Sequence, residues 1–134
     1  MQITKGYAPG RWGQIHYAQC GSGIPLLLSH QSPTDIVQFA RVMAPLARQG
    51  LRPIAIDLPG FGGSDLPDAP PGIADYAHIV PAVLDHLGLK SASVLGHHTG
   101  AVVVTASMAP ISRSRRCRGV SGGSPESRQL FLGG

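Results

Sequence analysis

Two hydrophobic periods take turns along the first 109 residues. Gln14-Ile15-His16-Tyr17-Ala18-Gln19-Cys20 alternates in polarity between glycines, which predicts a half-buried strand followed by a turn at Gly21-Ser22-Gly23. Ile24-Pro25-Leu26-Leu27-Leu28 is a continuous apolar run, as in a strand covered on both faces. Ile36, Phe39, Ala40, Met43 and Ala47 then recur at helical spacing, with Thr34 or Asp35 as N-cap and Gly50 just past the C-terminus. Pro45 lies inside that pattern and predicts a break or kink near Ala44.

Pro53-Ile54-Ala55-Ile56-Asp57 reads as a second buried strand, running into the turn-rich stretch Leu58-Pro59-Gly60-Phe61-Gly62-Gly63-Ser64-Asp65. Ile73, Tyr76, Ala77, Val80, Leu84 and Leu87 form one helical face closed by Gly88, with a bend expected at Pro81. Ser91-Ala92-Ser93-Val94-Leu95 is a third buried strand, entering Gly96-His97-His98-Thr99-Gly100. Ala101 to Ala109 is small and apolar, as in a buried helix. Strands alternating with helices predict an α/β fold: a mostly parallel, doubly wound sheet with helices on both faces.

Residues 110–134 are rich in Ser, Arg and Gly and show neither period. The chain thus divides into a folded part, 1–109, and an irregular tail, 110–134. Two readings of the tail stand: a disordered segment, or a stretch read out of frame from a GC-rich gene. The charge supports the same boundary. Six cations and six anions cancel over residues 1–110, so the net +4 comes wholly from five arginines and Glu126 beyond. The cluster Arg113–Arg118 suits a polyanion, but it has no aromatic or helical register, so a solvated tail accounts for it and no nucleic-acid partner is expected.

Hydrophobic residues make up 43% of the 134, enough for one small domain with its own core. Cys20 and Cys117 have neither metal-ligand nor redox spacing and read as free thiols. Met1 to Gly6 lacks the apolar stretch of a signal peptide, and no run approaches a membrane span. A soluble, cytoplasmic protein without a membrane partner is expected.

The chemistry lies at the strand ends. A strand, then Gly-x-nucleophile-x-Gly, then a helix is a nucleophile elbow: the central residue sits on a sharp strained turn, and small neighbours let the helix pack against the strand. Three segments together resemble the alpha/beta hydrolase family, in particular its esterase, epoxide-hydrolase and dehalogenase-like branch. Leu26-Leu27-Leu28-Ser29-His30-Gln31-Ser32-Pro33 resembles a strand followed by His-Gly-x-Pro. Ile56-Asp57-Leu58-Pro59-Gly60-Phe61-Gly62-Gly63-Ser64-Asp65 resembles Asp-x-Pro-Gly-x-Gly-x-Ser. Gly96-His97-His98-Thr99-Gly100 resembles Gly-His-Ser-x-Gly. The resemblance covers about residues 8–109 and implies the alpha/beta-hydrolase fold, represented by its strands up to the elbow.

It also implies a site. His98 stands in the nucleophile position, where relatives carry Ser, Asp or Cys. The backbone N–H groups of Ser32 and Thr99 occupy the positions of the oxyanion donors, with Gln31 in place of the usual Gly. A neutral imidazole can attack an electrophile directly, forming an acyl- or alkyl-imidazole; the alternative is that His98 orients a water or does no chemistry. His97 is expected to pack beside the strand, His30 and Asp57 to hold turns, and His78 and His86 to lie on a helix surface or end. No histidine pair has metal spacing with supporting acids, and Gly60-x-Gly62-Gly63 lacks the Lys of a phosphate loop. Neither metal nor cofactor is expected.

The family's triad acid and histidine follow the nucleophile on later strands. The chain ends before they could appear, so by itself it is expected to be inactive. The resemblance therefore implies a truncated hydrolase of a small ester, epoxide or carbon–halogen substrate. The alternative is a non-catalytic protein of the same fold that binds a small molecule or a partner.

Overall fold

The computed structural model describes residues 1–76, 78–111, 118–122 and 130–131, with side chains as far as residue 107. These residues form one seven-stranded sheet in the order β1-β2-β4-β3-β5-β6-β7. The strands are β1 (Thr4–Gly10), β2 (Gly13–Gln19), β3 (Ile24–Ser29), β4 (Leu51–Ile56), β5 (Ser93–His97), β6 (Arg118–Gly122) and β7 (Leu130–Phe131). β4, β3, β5 and β6 run parallel, whereas β1 and β2 form an antiparallel hairpin on one edge and β7 pairs antiparallel with β6 on the other.

β1 has no counterpart among the predicted strands. Gly6, Pro9 and Gly10 interrupt its alternation, and Ala8 is its one buried residue. An edge strand tolerates this, because one side of its backbone needs no partner. β6 and β7 fall where the sequence shows neither period. β6 pairs with β5, Leu95 opposite Val120, so the elbow strand is not the sheet edge. The remaining tail residues, 112–117, 123–129 and 132–134, lie outside the described residues.

The helices are α1 (Ala40–Arg48), α2 (Ile73–Tyr76), α3 (Ile79–His86) and α4 (Thr99–Ile111), with a 3-10 turn at Ile36–Phe39 before α1. Asp35 caps that turn as expected, its carboxylate accepting from Val37 N–H. Pro45 does not break the helix near Ala44. α1 continues through it, and the change of geometry falls earlier, between Phe39 and Ala40. At Pro81 the expected bend is a break placed upstream: α2 ends at Tyr76, and Pro81 is the third residue of α3. There its missing N–H is one that a first turn leaves without an acceptor anyway. Gly50 and Gly88 both adopt positive φ just beyond their helices.

Successive side chains of the central strands point to opposite faces. Leu27, Ile54, Ile56 and Val94 pack with Val80, Val83 and Leu84 of α3 and Val103 and Val104 of α4. Leu26, Leu28 and Ala55 pack with Phe39, Met43 and Ala47 on the other face. The sheet is therefore doubly wound, as its sequence pattern implies. α4 is not buried all round: Val103 and Val104 are covered, whereas Val102 is half exposed and Thr105 is open to solvent. Among the described residues no helix is long and apolar enough to cross a membrane.

Candidate functional site

β3 is flanked by β4 on one side and β5 on the other, and the helices leading to them lie on opposite faces. The strand order therefore reverses at the C-terminal ends of β3 and β5. Ligands of open α/β sheets bind at such points. The residues at these two ends are His30-Gln31-Ser32 and His97-His98-Thr99.

His98 is the sharp point of this arrangement. Its φ is +51°, and it is the one non-glycine residue with positive φ among the described residues. A Cβ is crowded in that conformation, so the surroundings must enforce it. The two glycines show how. A Cβ on Gly96 would run into the backbone of Gly100, and one on Gly100 would run into the Ser29 and His30 carbonyls. Strand, turn and helix are thus in backbone contact, and the chain between them has no room for a wider turn. The His98 carbonyl accepts from Ala101 N–H at 2.9 Å and starts α4. The His98 side chain is exposed and has no hydrogen-bond partner among the described residues, while its ring meets the His97 ring edge-on, with centroids 4.7 Å apart.

Ser32 lies exposed in the loop after β3, before a cis peptide bond to Pro33, and its N–H makes no hydrogen bond among the described residues. Thr99 is the first residue of α4, half-buried. The first N–H groups of a helix lack intrahelical acceptors and create a positive potential, which suits an anion.

One side chain ties the two loops together. Gln38 accepts from Gln31 N–H at 3.1 Å and from Thr34 Oγ1 at 3.0 Å through Oε1, and its Nε2 donates to His97 Nδ1 at 2.9 Å. The residues before Ser32 and before His98 are therefore held by opposite ends of one amide. This bond makes His97 Nδ1 an acceptor and leaves the ring proton on Nε2. Sequence reasoning missed Gln38, which carries no motif and lies 59 residues from its partner.

The other expected roles are structural. His30 is fully buried; its Nδ1–H donates to the Gln31 carbonyl at 2.7 Å and its Nε2 accepts from Leu58 N–H at 3.0 Å, joining the ends of β3 and β4. Asp57 Oδ1 accepts from Ile36 N–H, and Oδ2 accepts from Gly63 N–H and His16 Nδ1–H, each at 2.8 Å. The buried carboxylate thus ties the turn after β4 to β2 and to the start of the 3-10 turn. Ser64 Oγ closes the same turn, donating to the Asp57 carbonyl and accepting from His16 N–H. His78 precedes α3 and His86 ends it, both exposed. Among the described residues no three His, Cys, Asp or Glu side chains group as metal ligands. Arg113, Arg115, Arg116 and Cys117 lie outside the described residues.

Comparison with known proteins agrees with this architecture. The family model described as alpha/beta hydrolase fold matches residues 24–118. Bifunctional epoxide hydrolase 2 of Mus musculus is 32% identical over 108 residues, 76% of this chain and 19% of its own length. Haloalkane dehalogenase 2 of Mycobacterium tuberculosis is 34% identical over 109 residues, 81% of this chain and 37% of its own. Among solved structures, the epoxide hydrolase CorEH superposes with a TM-score of 0.78 at 31% identity, over 89% of this chain and 43% of that one. The haloalkane dehalogenase DatA of Agrobacterium tumefaciens superposes at 0.76 with 26% identity, over 90% and 40%. The chain thus spans well under half the length of these relatives.

Proposed function

Because the chain belongs to the alpha/beta hydrolase fold family, we propose that it is the nucleophile-bearing part of a hydrolase acting on a small epoxide, carbon–halogen compound or ester. His98 takes the nucleophile position, and the N–H groups of Ser32 and Thr99 serve as oxyanion donors. The observation that carries this reading is the backbone of His98. A φ of +51° in a non-glycine residue, enforced by glycines packed against backbone on both sides, is strain of the kind that gathers at functional sites. The activities for which the relatives are named, epoxide hydrolysis and haloalkane dehalogenation, fit a substrate with one electrophilic carbon and a leaving oxygen or halide.

A second reading rests on a different observation. His16–Asp57 is a His–carboxylate pair away from the elbow, and its carboxylate is committed to backbone donors of two loops. A binding role without turnover needs no base behind His98. An esterase, epoxide and haloalkane panel on the purified chain and on His98→Ala separates the two. Turnover that disappears with His98 supports the hydrolase; substrate binding without turnover in either protein overturns it.

A further inference from the structure

The residue at the elbow selects among the proposed electrophiles. We infer that His98 turns over acyl substrates and is irreversibly alkylated by epoxides and alkyl halides; this rests on His98 being the attacking group. The reason is what happens after attack. With an ester, an unprotonated His98 nitrogen forms an N–C bond to the carbonyl carbon, the C–O bond breaks, and the departing alkoxide takes up, through water, the proton that the ring's other nitrogen gives up. The resulting N-acylimidazole keeps an electrophilic carbonyl. Water adds to it, the C–N bond breaks, the acid is released and the imidazole recovers its proton.

With an epoxide the same nitrogen attacks a saturated ring carbon. The C–O bond breaks, the alkoxide takes a proton from water, and the imidazole loses its other N–H proton to give a neutral N-alkylimidazole. That adduct has no carbonyl for water to add to, and its release would require an imidazole anion to leave a saturated carbon. A haloalkane ends at an N-alkylimidazole too, with halide as leaving group and the ring's N–H proton passing to water. A carboxylate nucleophile avoids the trap, because its alkyl adduct is an ester; an imidazole does not.

Three features single out His98 from the other histidines. It is exposed, its ring makes no hydrogen bond among the described residues, and its strained turn holds it at the end of β5, beside the end of β3. His97, beside it, has one nitrogen occupied by Gln38; His16 is occupied by Asp57; and both nitrogens of His30 are bonded in the core. His78, exposed just before α3, and His86, exposed at its end with Nε2 3.4 Å from the Tyr17 hydroxyl, are internal standards for surface reactivity.

The experiment is peptide-mapping mass spectrometry of the full chain after incubation with p-nitrophenyl acetate, with styrene oxide, or with 1-bromobutane, alongside His98→Gln. The expected result is p-nitrophenol release in multiple turnovers, with a transient acetyl group on His98 that hydroxylamine removes. Styrene oxide and bromobutane should leave one stable adduct per chain, on His98 at least tenfold faster than on His86 or His78, and should abolish the esterase turnover. His98→Gln should lose both the turnover and the selective adduct. Diol or alcohol formed in multiple turnovers without a lasting His98 adduct would overturn the inference and leave the hydrolase reading intact. Reaction of His98 no faster than of His86 with any of the three probes would overturn the hydrolase reading and the inference with it.

Discussion

Ser29 Oγ is fully buried at the end of β3 and has no hydrogen-bond partner among the described residues, the one such side-chain atom there. A hydroxyl stripped of water without compensation is a net cost. Ser29→Ala is therefore expected to raise stability by about 1 kcal/mol, read as a higher urea midpoint with unchanged slope; a lower midpoint would mean that the hydroxyl is satisfied. Asp57 is the opposite case. Its three accepted bonds hold Ile36, Gly63 and His16, and Asp57→Asn turns one acceptor into a donor facing N–H groups. A loss of about 3 kcal/mol is expected, again from urea unfolding. No loss would show the turn to be held by Ser64 and Asp65 instead.

At the level of elements, glycine plays two distinct roles. Gly88 ends α3 in a Schellman arrangement, with Leu89 N–H on the Leu84 carbonyl at 2.9 Å and Gly88 N–H on the Asp85 carbonyl at 3.1 Å. A Cβ there meets nothing within 4 Å, and the cost of Gly88→Ala is only that of positive φ, about 1 kcal/mol. Gly100 has negative φ, but its missing Cβ is what lets α4 rest on the Ser29 and His30 carbonyls. Gly100→Ala must lever the helix off β3, so a loss of more than about 3 kcal/mol is expected. Thermal unfolding of the two variants should rank them in that order, and equal shifts would refute the close packing of strand and helix. The same closeness explains why both glycines of the elbow were legible in sequence: nothing larger fits, so the pattern reports the geometry directly. β1 was illegible for the converse reason. As an edge strand it buries almost nothing, and Pro9 and the glycines carry no period.

Across the whole molecule, the α2 segment is pinned to the β1–β2 turn. Arg11 pairs with Asp75 at 3.2 Å, and Trp12 meets Tyr76 edge-on with ring centroids 6.3 Å apart. Partial burial raises the Tyr76 phenol above its ordinary value of 10.0, because the phenolate is poorly solvated there. A raised acid constant in the folded state means that the unfolded chain loses this proton first as pH rises. The Tyr76 contribution is thus intact below pH 10.0 and declines as pH climbs through the folded value. Urea midpoints of the protein should fall more steeply above pH 10.0 than those of Tyr76→Phe; parallel curves would show that the phenol is fully hydrated.

The amino-acid sequence by itself determined the order of strands and helices from β2 to α4, the two-faced burial of the central strands and the elbow around His98, because period and glycine spacing are local consequences of backbone geometry. It also determined that a histidine occupies the apex, and with it the chemistry open to that position. Only the tertiary structure decided that β3 lies between β4 and β5 and that Gln38 joins the Gln31 and His97 loops. It likewise decided that Asp57 and His16 spend their polar atoms on a turn. The strand pairings and the Gln38–His97, His16–Asp57 and Ile36–Asp57 bonds join residues far apart in the chain. They depend on which strand ends meet at the sheet's edge, and no local period encodes that.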